Sequence, residues 1–294
     1  MRILLIGKNG QLGWELERCL QPLGEVNACD YPDINLADGN SIRAAVAECR
    51  PAVIINAGAY TAVDRAEAEP DLAEAVNGAG PGILAEEANK IGAALIHYST
   101  DYVFDGTKGA PYVESDVPRP LNVYGLSKLH GEQAVESTGG ACLVLRTSWV
   151  YSLRQGGFVN KVLEWARRQE TLKIVEDQVG SPTNARMLAE ATAMVLAGAG
   201  CDPAGSLRER AGLYHLAGDG AASRYEWART ILALDPKQTE HVVKALLPGK
   251  TEEFPTPAKR PLFTALDCAK FQAVFGLSLP GWKKGLELAM DLSI

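Results

Sequence analysis

Tyr124 and Lys128 stand four residues apart in V-Y-G-L-S-K, so on a helix their side chains share one face, a turn apart. A phenol gives up its proton near pH ~10, and an ammonium beside it stabilises the phenolate and draws that value toward neutrality. The pair is thus a candidate acid or base. Upstream, Ser99 and Thr100 close an apolar, strand-like run from Ala94 to Tyr98. Their hydroxyls would sit at a strand's carboxyl end, where open α/β sheets bind ligands. A hydroxyl, a phenol and an amine would then converge. The Y-x-x-x-K spacing alone also describes a surface lysine beside a half-buried tyrosine; its weight comes from the elements that must position it.

The first of those elements is an apolar run, Arg2 to Ile6, ending in Gly7, with Gly10 and Gly13 following before an amphipathic stretch from Gln11 to Leu20. This predicts strand, tight turn and helix. Gly7 permits the turn, Gly10 lets backbone approach a pyrophosphate at the helix amino terminus, and Gly13 lets helix and strand pack closely. The next apolar run ends at Asp30, about 20 residues on, where a carboxylate can accept from an adenosine ribose hydroxyl; a solvated turn aspartate is the alternative. The pattern repeats with a helix from about Asn40 to Cys49, a strand from Ala52 to Asn56 and the loop Gly58-Ala59-Tyr60-Thr61. Alternating strand and helix predicts a parallel sheet with crossover helices. Pro70 to Ile91 is rich in alanine and glutamate, and Gly78, Gly80 and Pro81 within it predict a bend or break. Strand Cys142 to Thr147 follows the helix that carries Tyr124, with Trp149 and Tyr151 just beyond.

After Tyr151 the texture changes. Helices are predicted over about 157–168 and 184–197, a loop over 198–205, and irregular segments around Pro248, Pro255, Pro257 and Pro261. Gly212 to Ala217 looks like a late strand that returns to the main sheet. The expectation is an α/β fold: a doubly wound parallel sheet in residues 1–150 that binds a dinucleotide, and a smaller, mainly helical substrate unit in residues 151–294.

At 294 residues, with 47% hydrophobic and 22% charged side chains, the chain can bury a sizeable core. Its net charge of −7 argues against nucleic acid or an anionic membrane as partner, both of which need a basic face. The six cysteines are scattered without metal-ligand or disulfide spacing. No apolar run approaches the ~18 residues of a membrane span, and the amino terminus enters a strand at once, so a cytoplasmic protein is expected.

The combined motifs resemble the extended short-chain dehydrogenase/reductases. Within that superfamily, N-A-G-A-Y-T-A-V-D-R-A-E (56–67), S-T-D-Y-V-F-D-G (99–106), V-Y-G-L-S-K-L-H-G-E (123–132), R-T-S-W-V-Y (146–151), G-S-P-T (180–183) and R-P-x-x-x-x-L-D (260–267) are similar to the dTDP-4-dehydrorhamnose reductase family. The likeness runs along nearly the whole chain. It implies reduction of a 4-keto nucleotide sugar with NADPH or NADH, in the making of dTDP-L-rhamnose for bacterial surface polysaccharide. Carried over residue by residue, Gly10, Gln11 and Leu12 would wrap the pyrophosphate. Asp30 would meet the adenosine ribose, Asn35 and Leu36 the adenine, and Ala59, Tyr60 and Thr61 the nicotinamide side. Tyr124 would be the acid, Lys128 its partner and a cofactor-ribose ligand, and Thr100 the hydroxyl that polarises the keto oxygen. Asp101, Tyr102 and Trp149 would line the sugar, and Arg260 is the candidate cation for the diphosphate.

Some members of the family bridge a dimer through Mg²⁺ held by glutamates. Here Glu15 matches, but Arg186 stands where a second glutamate is expected, and Glu287 and Asp291 are out of register. A cation at a ligand position opposes a second cation, so no metal site is predicted and a homodimer stays open. The four histidines, at 97, 130, 215 and 241, have no ligand spacing and read as structural. Two rivals remain: a sibling nucleotide-sugar reductase or epimerase with the same machinery, and a non-catalytic regulatory subunit such as that of methionine adenosyltransferase. The intact Thr100, Tyr124 and Lys128 count against the second.

Overall fold

In the computed structural model, which describes residues 1–154 and 156–291, the apolar runs form β1 (Arg2–Ile6), β2 (Glu25–Cys29), β3 (Val53–Asn56), β4 (Ala94–Thr100) and β5 (Cys142–Thr147). The late strand, Gly212–His215, lies beside β5. The order across the sheet is late strand, β5, β4, β3, β1, β2, with every pairing parallel. Every residue of β3, β4 and β5 is buried, as expected of parallel strands covered by helices on both faces. One face packs against helix α1 (Gln11–Cys19) and the helix Ala185–Ala199, through Leu12, Leu16, Leu188 and Val195. The other packs against α2 (Gly39–Cys49) and the helices Gly80–Ile91 and Val123–Ser137, through Ile42, Val46, Leu84 and Val135. The doubly wound sheet is therefore as the alternation predicted, and helix Ala185–Ala199 adds to it from beyond residue 151. Chain order reverses between β1 and β3, which puts the ligand crevice at their carboxyl ends.

Two local expectations are corrected. The stretch Pro70–Ile91 is interrupted without being broken: Pro70–Glu74 runs through a π-helical turn, Ala75–Ala79, into Gly80–Ile91. The wider turn accommodates Pro81, which has no N–H to give. It also sets the Asn77 carbonyl against the Tyr124 helix, where a side chain at Gly131 would lie 2.1 Å from that oxygen. Small residues thus seat the Tyr124 helix. Within 198–205, helix Ala185–Ala199 runs longer than predicted and Pro203 opens a further helix, Pro203–Arg208.

The chain beyond Tyr151 has its own core. Tyr151, Val159, Val162, Leu172, Ile174, Trp227, Ile231, Trp282 and Leu286 pack together. The proline-rich stretch around Pro248 is more regular than its composition suggested: Ala245–Gly249 pairs in parallel with Thr171–Val175. Helices Arg224–Leu234, Ala269–Phe275 and Trp282–Met290 escaped the sequence reading. Among the described residues no helix is long and apolar enough to cross a membrane.

Candidate active site

A cleft of about 390 Å³ opens at the carboxyl ends of β1, β3, β4 and β5. Of the residues singled out by sequence, Gly7, Gly10, Gln11, Leu12, Asp30, Ala59, Thr61, Thr100, Asp101, Tyr124, Lys128 and Trp149 line it. An adjoining cleft of about 510 Å³ shares Asp30 and Ala59 and adds Asn35, Leu36 and Tyr60, with apolar walls from Ile34, Leu72 and Val76. Gly13, Tyr102 and Arg260 line neither.

The glycine turn is shaped by close approach. Gly7 has φ +91°, and a Cβ there would lie 2.5 Å from the Gly58 nitrogen; one at Gly13 would lie 1.9 Å from the Gly7 carbonyl oxygen. Gly10 caps α1 with no side-chain hydrogen bond, so the helix offers bare N–H groups and the positive end of its dipole to the cleft. That cradle fits a dinucleotide pyrophosphate. The Gln11 side chain is engaged elsewhere, accepting from the Ser152 N–H at 2.8 Å. Asp30 holds the turn: its carboxylate accepts from the Asn9 N–H at 3.0 Å and the Tyr31 N–H at 2.8 Å. Asn77, which the sequence reading missed because A-V-N-G-A-G reads only as a helix interruption, accepts from the Tyr60 N–H at 2.8 Å. It also donates to the Tyr60 carbonyl at 3.0 Å and to Ser127 at 3.1 Å.

Tyr124 and Lys128 lie on the helix Val123–Ser137, capped by Asn122, whose side chain accepts from the Gly125 N–H. Their electrostatics differ from expectation. Burial pushes the Tyr124 phenol up from its ordinary value, opposed by a hydrogen bond from Thr100. Lys128 is brought down to about 8 by burial, with Glu132 opposing. Its Nζ donates to the Tyr98 carbonyl at 2.7 Å and lies 3.2 Å from His97 Nε2. The amine is buried against β4, and burial rather than Lys128 sets the phenol's shift.

Asp101 is held in a cage of hydroxyls. Its buried carboxylate receives the hydroxyls of Thr264 at 2.5 Å, Ser148 at 2.8 Å and Thr100 at 3.2 Å. Burial raises it to about 6 despite those bonds. These hydroxyls cage the carboxylate where it lines the cleft. Beneath, Glu132 accepts from Ser99 at 2.5 Å and from Arg146 at 2.8 and 2.6 Å, a buried bidentate pair that fixes the Tyr124 helix to β4 and β5.

The opposite wall comes from far along the chain. Trp149 sits at φ +45°, a strained setting for a bulky residue, and its ring lies where a Cβ at Gly180 would be, 2.5 Å from Cε2. Arg224, missed by the sequence reading, lies 3.6 Å over that ring and beside Tyr102. Tyr102 meets Tyr124 edge to face at 5.8 Å. Arg260 is not a bare cation: Nη2 donates to Asp64 at 2.7 Å, although Nη1 is buried without a partner. Glu15 is buried and faces Arg186 at 3.3 Å, and among the described residues no group of three histidines, cysteines or carboxylates could hold a metal.

Known proteins share this architecture over their full length. A dTDP-4-dehydrorhamnose reductase from Burkholderia thailandensis is 41% identical, across 99% of this chain and 98% of its own. The crystal structure of a dTDP-4-dehydrorhamnose reductase from Clostridium acetobutylicum superposes with a TM-score of 0.90 at 35% identity, covering 100% and 99% of the two chains. That of the Bacillus anthracis dTDP-4-dehydrorhamnose reductase, in complex with NADP, gives 0.86 at 33%, covering 98% and 97%. The family model described as the RmlD substrate binding domain matches residues 1–293, and this chain belongs to that family.

Proposed function

We propose that this protein reduces the C4 keto group of dTDP-4-dehydro-L-rhamnose with NADPH or NADH, giving dTDP-L-rhamnose for bacterial surface polysaccharide. The observation that carries the reading is the meeting of Thr100, Tyr124 and Lys128 in one cleft with the glycine turn. The reductases to which the chain is similar, one of them bound to NADP, support it.

In this reading the Gly7, Gly10 and Gly13 turn and the N–H groups of Gln11 and Leu12 hold the cofactor pyrophosphate. Asp30 meets the adenosine ribose, Asn35 and Leu36 flank the adenine, and Ala59, Tyr60 and Thr61 flank the nicotinamide. When bound, the nicotinamide supplies the hydride. Tyr124 gives its proton to the keto oxygen, and its raised pKa keeps the phenol protonated for that task. Thr100, whose single O–H rests on Asp101 in the free site, turns that donor to the same oxygen when the sugar binds, and Lys128 reaches the cofactor ribose. Trp149 and Tyr102 wall the sugar. Arg260, through its unpartnered Nη1, and Arg224 meet the diphosphate. Mixing the purified protein with dTDP-4-dehydrorhamnose and NADPH should consume nicotinamide absorbance. No turnover would sink the reading in favour of a non-catalytic, cofactor-binding subunit.

A further inference from the structure

The three hydroxyls that meet Asp101 are shared unevenly between its two oxygens. Oδ2 accepts from Thr264 at 2.5 Å and from Ser148 at 2.8 Å. Oδ1 accepts only from Thr100, at 3.2 Å. Ser148 Oγ also accepts from the Ser181 N–H at 3.2 Å, and among the described residues Asp101 is the one acceptor that the hydrogen of Ser148 or of Thr264 meets. Both acceptor positions of Oδ2 are thus filled, and a proton taken up by the carboxyl goes to Oδ1.

That proton reverses the bond to Thr100. A protonated Oδ1 donates, so Thr100 Oγ1 must accept. It already accepts from the Tyr102 N–H at 3.2 Å, so both of its acceptor positions are then filled and its single hydrogen is free to point elsewhere. Thr100 and Tyr124 line the same cleft, with a hydrogen bond between their side chains. With the carboxylate ionised, the Thr100 hydrogen stays on Asp101. The carboxyl changes state close to neutrality: burial lifts it to about 6, against its three hydroxyls and Arg224, the cation that faces it. The phenols of Tyr102 and Tyr124, both raised by burial, stay neutral.

We propose that Asp101 is a positioning residue whose own protonation sets the direction of the Thr100 hydroxyl: ionised, it holds that hydrogen, and protonated, it releases it to the keto oxygen of the sugar. The nucleotide sugar therefore draws a proton onto Asp101 Oδ1 as it binds, and the keto oxygen meets two donors, Thr100 and Tyr124, before hydride moves. This rests on the reading of Thr100 as the hydroxyl that polarises the keto oxygen.

The test needs no turnover. Protein saturated with NADP⁺, which has no hydride to give, is titrated calorimetrically with dTDP-4-dehydrorhamnose in two buffers of different ionisation heat, and the difference in binding heat counts the protons taken up. Because a carboxyl at about 6 is mostly ionised at pH 7, wild type should take up ~0.5 proton or more per sugar there, and less at pH 5. Asp101→Asn mimics the protonated state, since Thr264 and Ser148 hold the amide oxygen and Nδ2 is left to donate to Thr100; it should bind the sugar without that uptake. Thr100→Val keeps the carboxyl but removes the hydroxyl, and should lose the uptake too, whereas Thr100→Ser should keep it. Lys128, at about 8, is present in every variant, so its share cancels in the comparison. Wild-type binding without proton uptake, or an uptake that either Asp101→Asn or Thr100→Val retains, overturns the switch. No binding of the sugar by any of these proteins would remove the reductase reading and, with it, this proposal. Should Asp101→Asn fail to fold, Thr100→Val decides.

Discussion

The cofactor side of the cleft is lined from the glycine turn and the loop that ends at Thr61, whereas the opposite side is lined by Trp149, on whose ring Arg224 stacks, with Tyr102 packed against Tyr124. On the first wall, contacts of 1.9 and 2.5 Å to imagined Cβ atoms leave no room for side chains. On the second, aromatic rings and arginines stack on one another. A wall of backbone has one shape and suits a ligand that does not change. A wall of side chains can be retuned one residue at a time, as sugar specificity requires.

Substitutions on each side should separate accordingly. Of the two walls, the larger effect is expected from Gly13→Ala, whose Cβ would meet the Gly7 carbonyl oxygen at 1.9 Å. Overpacking of ~1–3 kcal/mol corresponds to roughly 5- to 150-fold weaker NADPH binding by calorimetry. Affinity within twofold of wild type would mean that the backbone wall yields. Arg224→Ala should raise the KM for the nucleotide sugar about 10-fold, as for a lost charged hydrogen bond, and leave the Kd of NADPH unchanged. A change in cofactor affinity instead would erase the division between the walls.

The same contrast decides what could be read from sequence. Gly7, Gly10, Asp30 and the Tyr124–Lys128 spacing are local signals, each written within one strand–turn–helix unit, and the structure brings them to one crevice. Arg224 stands 75 residues beyond Trp149 and carries no local mark; it is found only when the two meet at 3.6 Å. Asn77 was hidden for another reason, because a π turn looks in sequence like an interrupted helix. Asp101 was found, but the Ser148 and Thr264 hydroxyls that cage its carboxylate meet it only in the fold.

Asp101 supplies a pH test of the hydroxyl cage. Its folded pKa, about 6 against an ordinary 3.8, means that the folded state binds the proton more tightly. That stabilisation is fully present below pH ~4 and is lost as pH rises through 6. Relative to wild type, Asp101→Asn should therefore gain stability between pH 4 and 7, on the order of 3 kcal/mol, read as a converging or crossing pair of Tm profiles. Parallel profiles would show that the carboxylate is not desolvated. The smallest effect belongs to Asp30→Ala. A carboxylate near the ribose favours a free 2′-hydroxyl over a 2′-phosphate, so the NADPH:NADH ratio of kcat/KM should rise a few-fold. An unchanged ratio would leave Asp30 only its bonds to Asn9 and Tyr31.

The central claim is that Tyr124 delivers the proton. Tyr124→Phe keeps the ring and its edge-to-face contact with Tyr102 but removes the donor, so folding and NADPH affinity should stay near wild type. Loss of a positioned general acid is worth ~10²- to 10⁴-fold, and kcat measured at saturating substrate and neutral pH should fall by that much. If the variant keeps more than about a tenth of wild-type kcat, well short of that loss, the proton comes from another group, with Thr100 relaying from water the first to test.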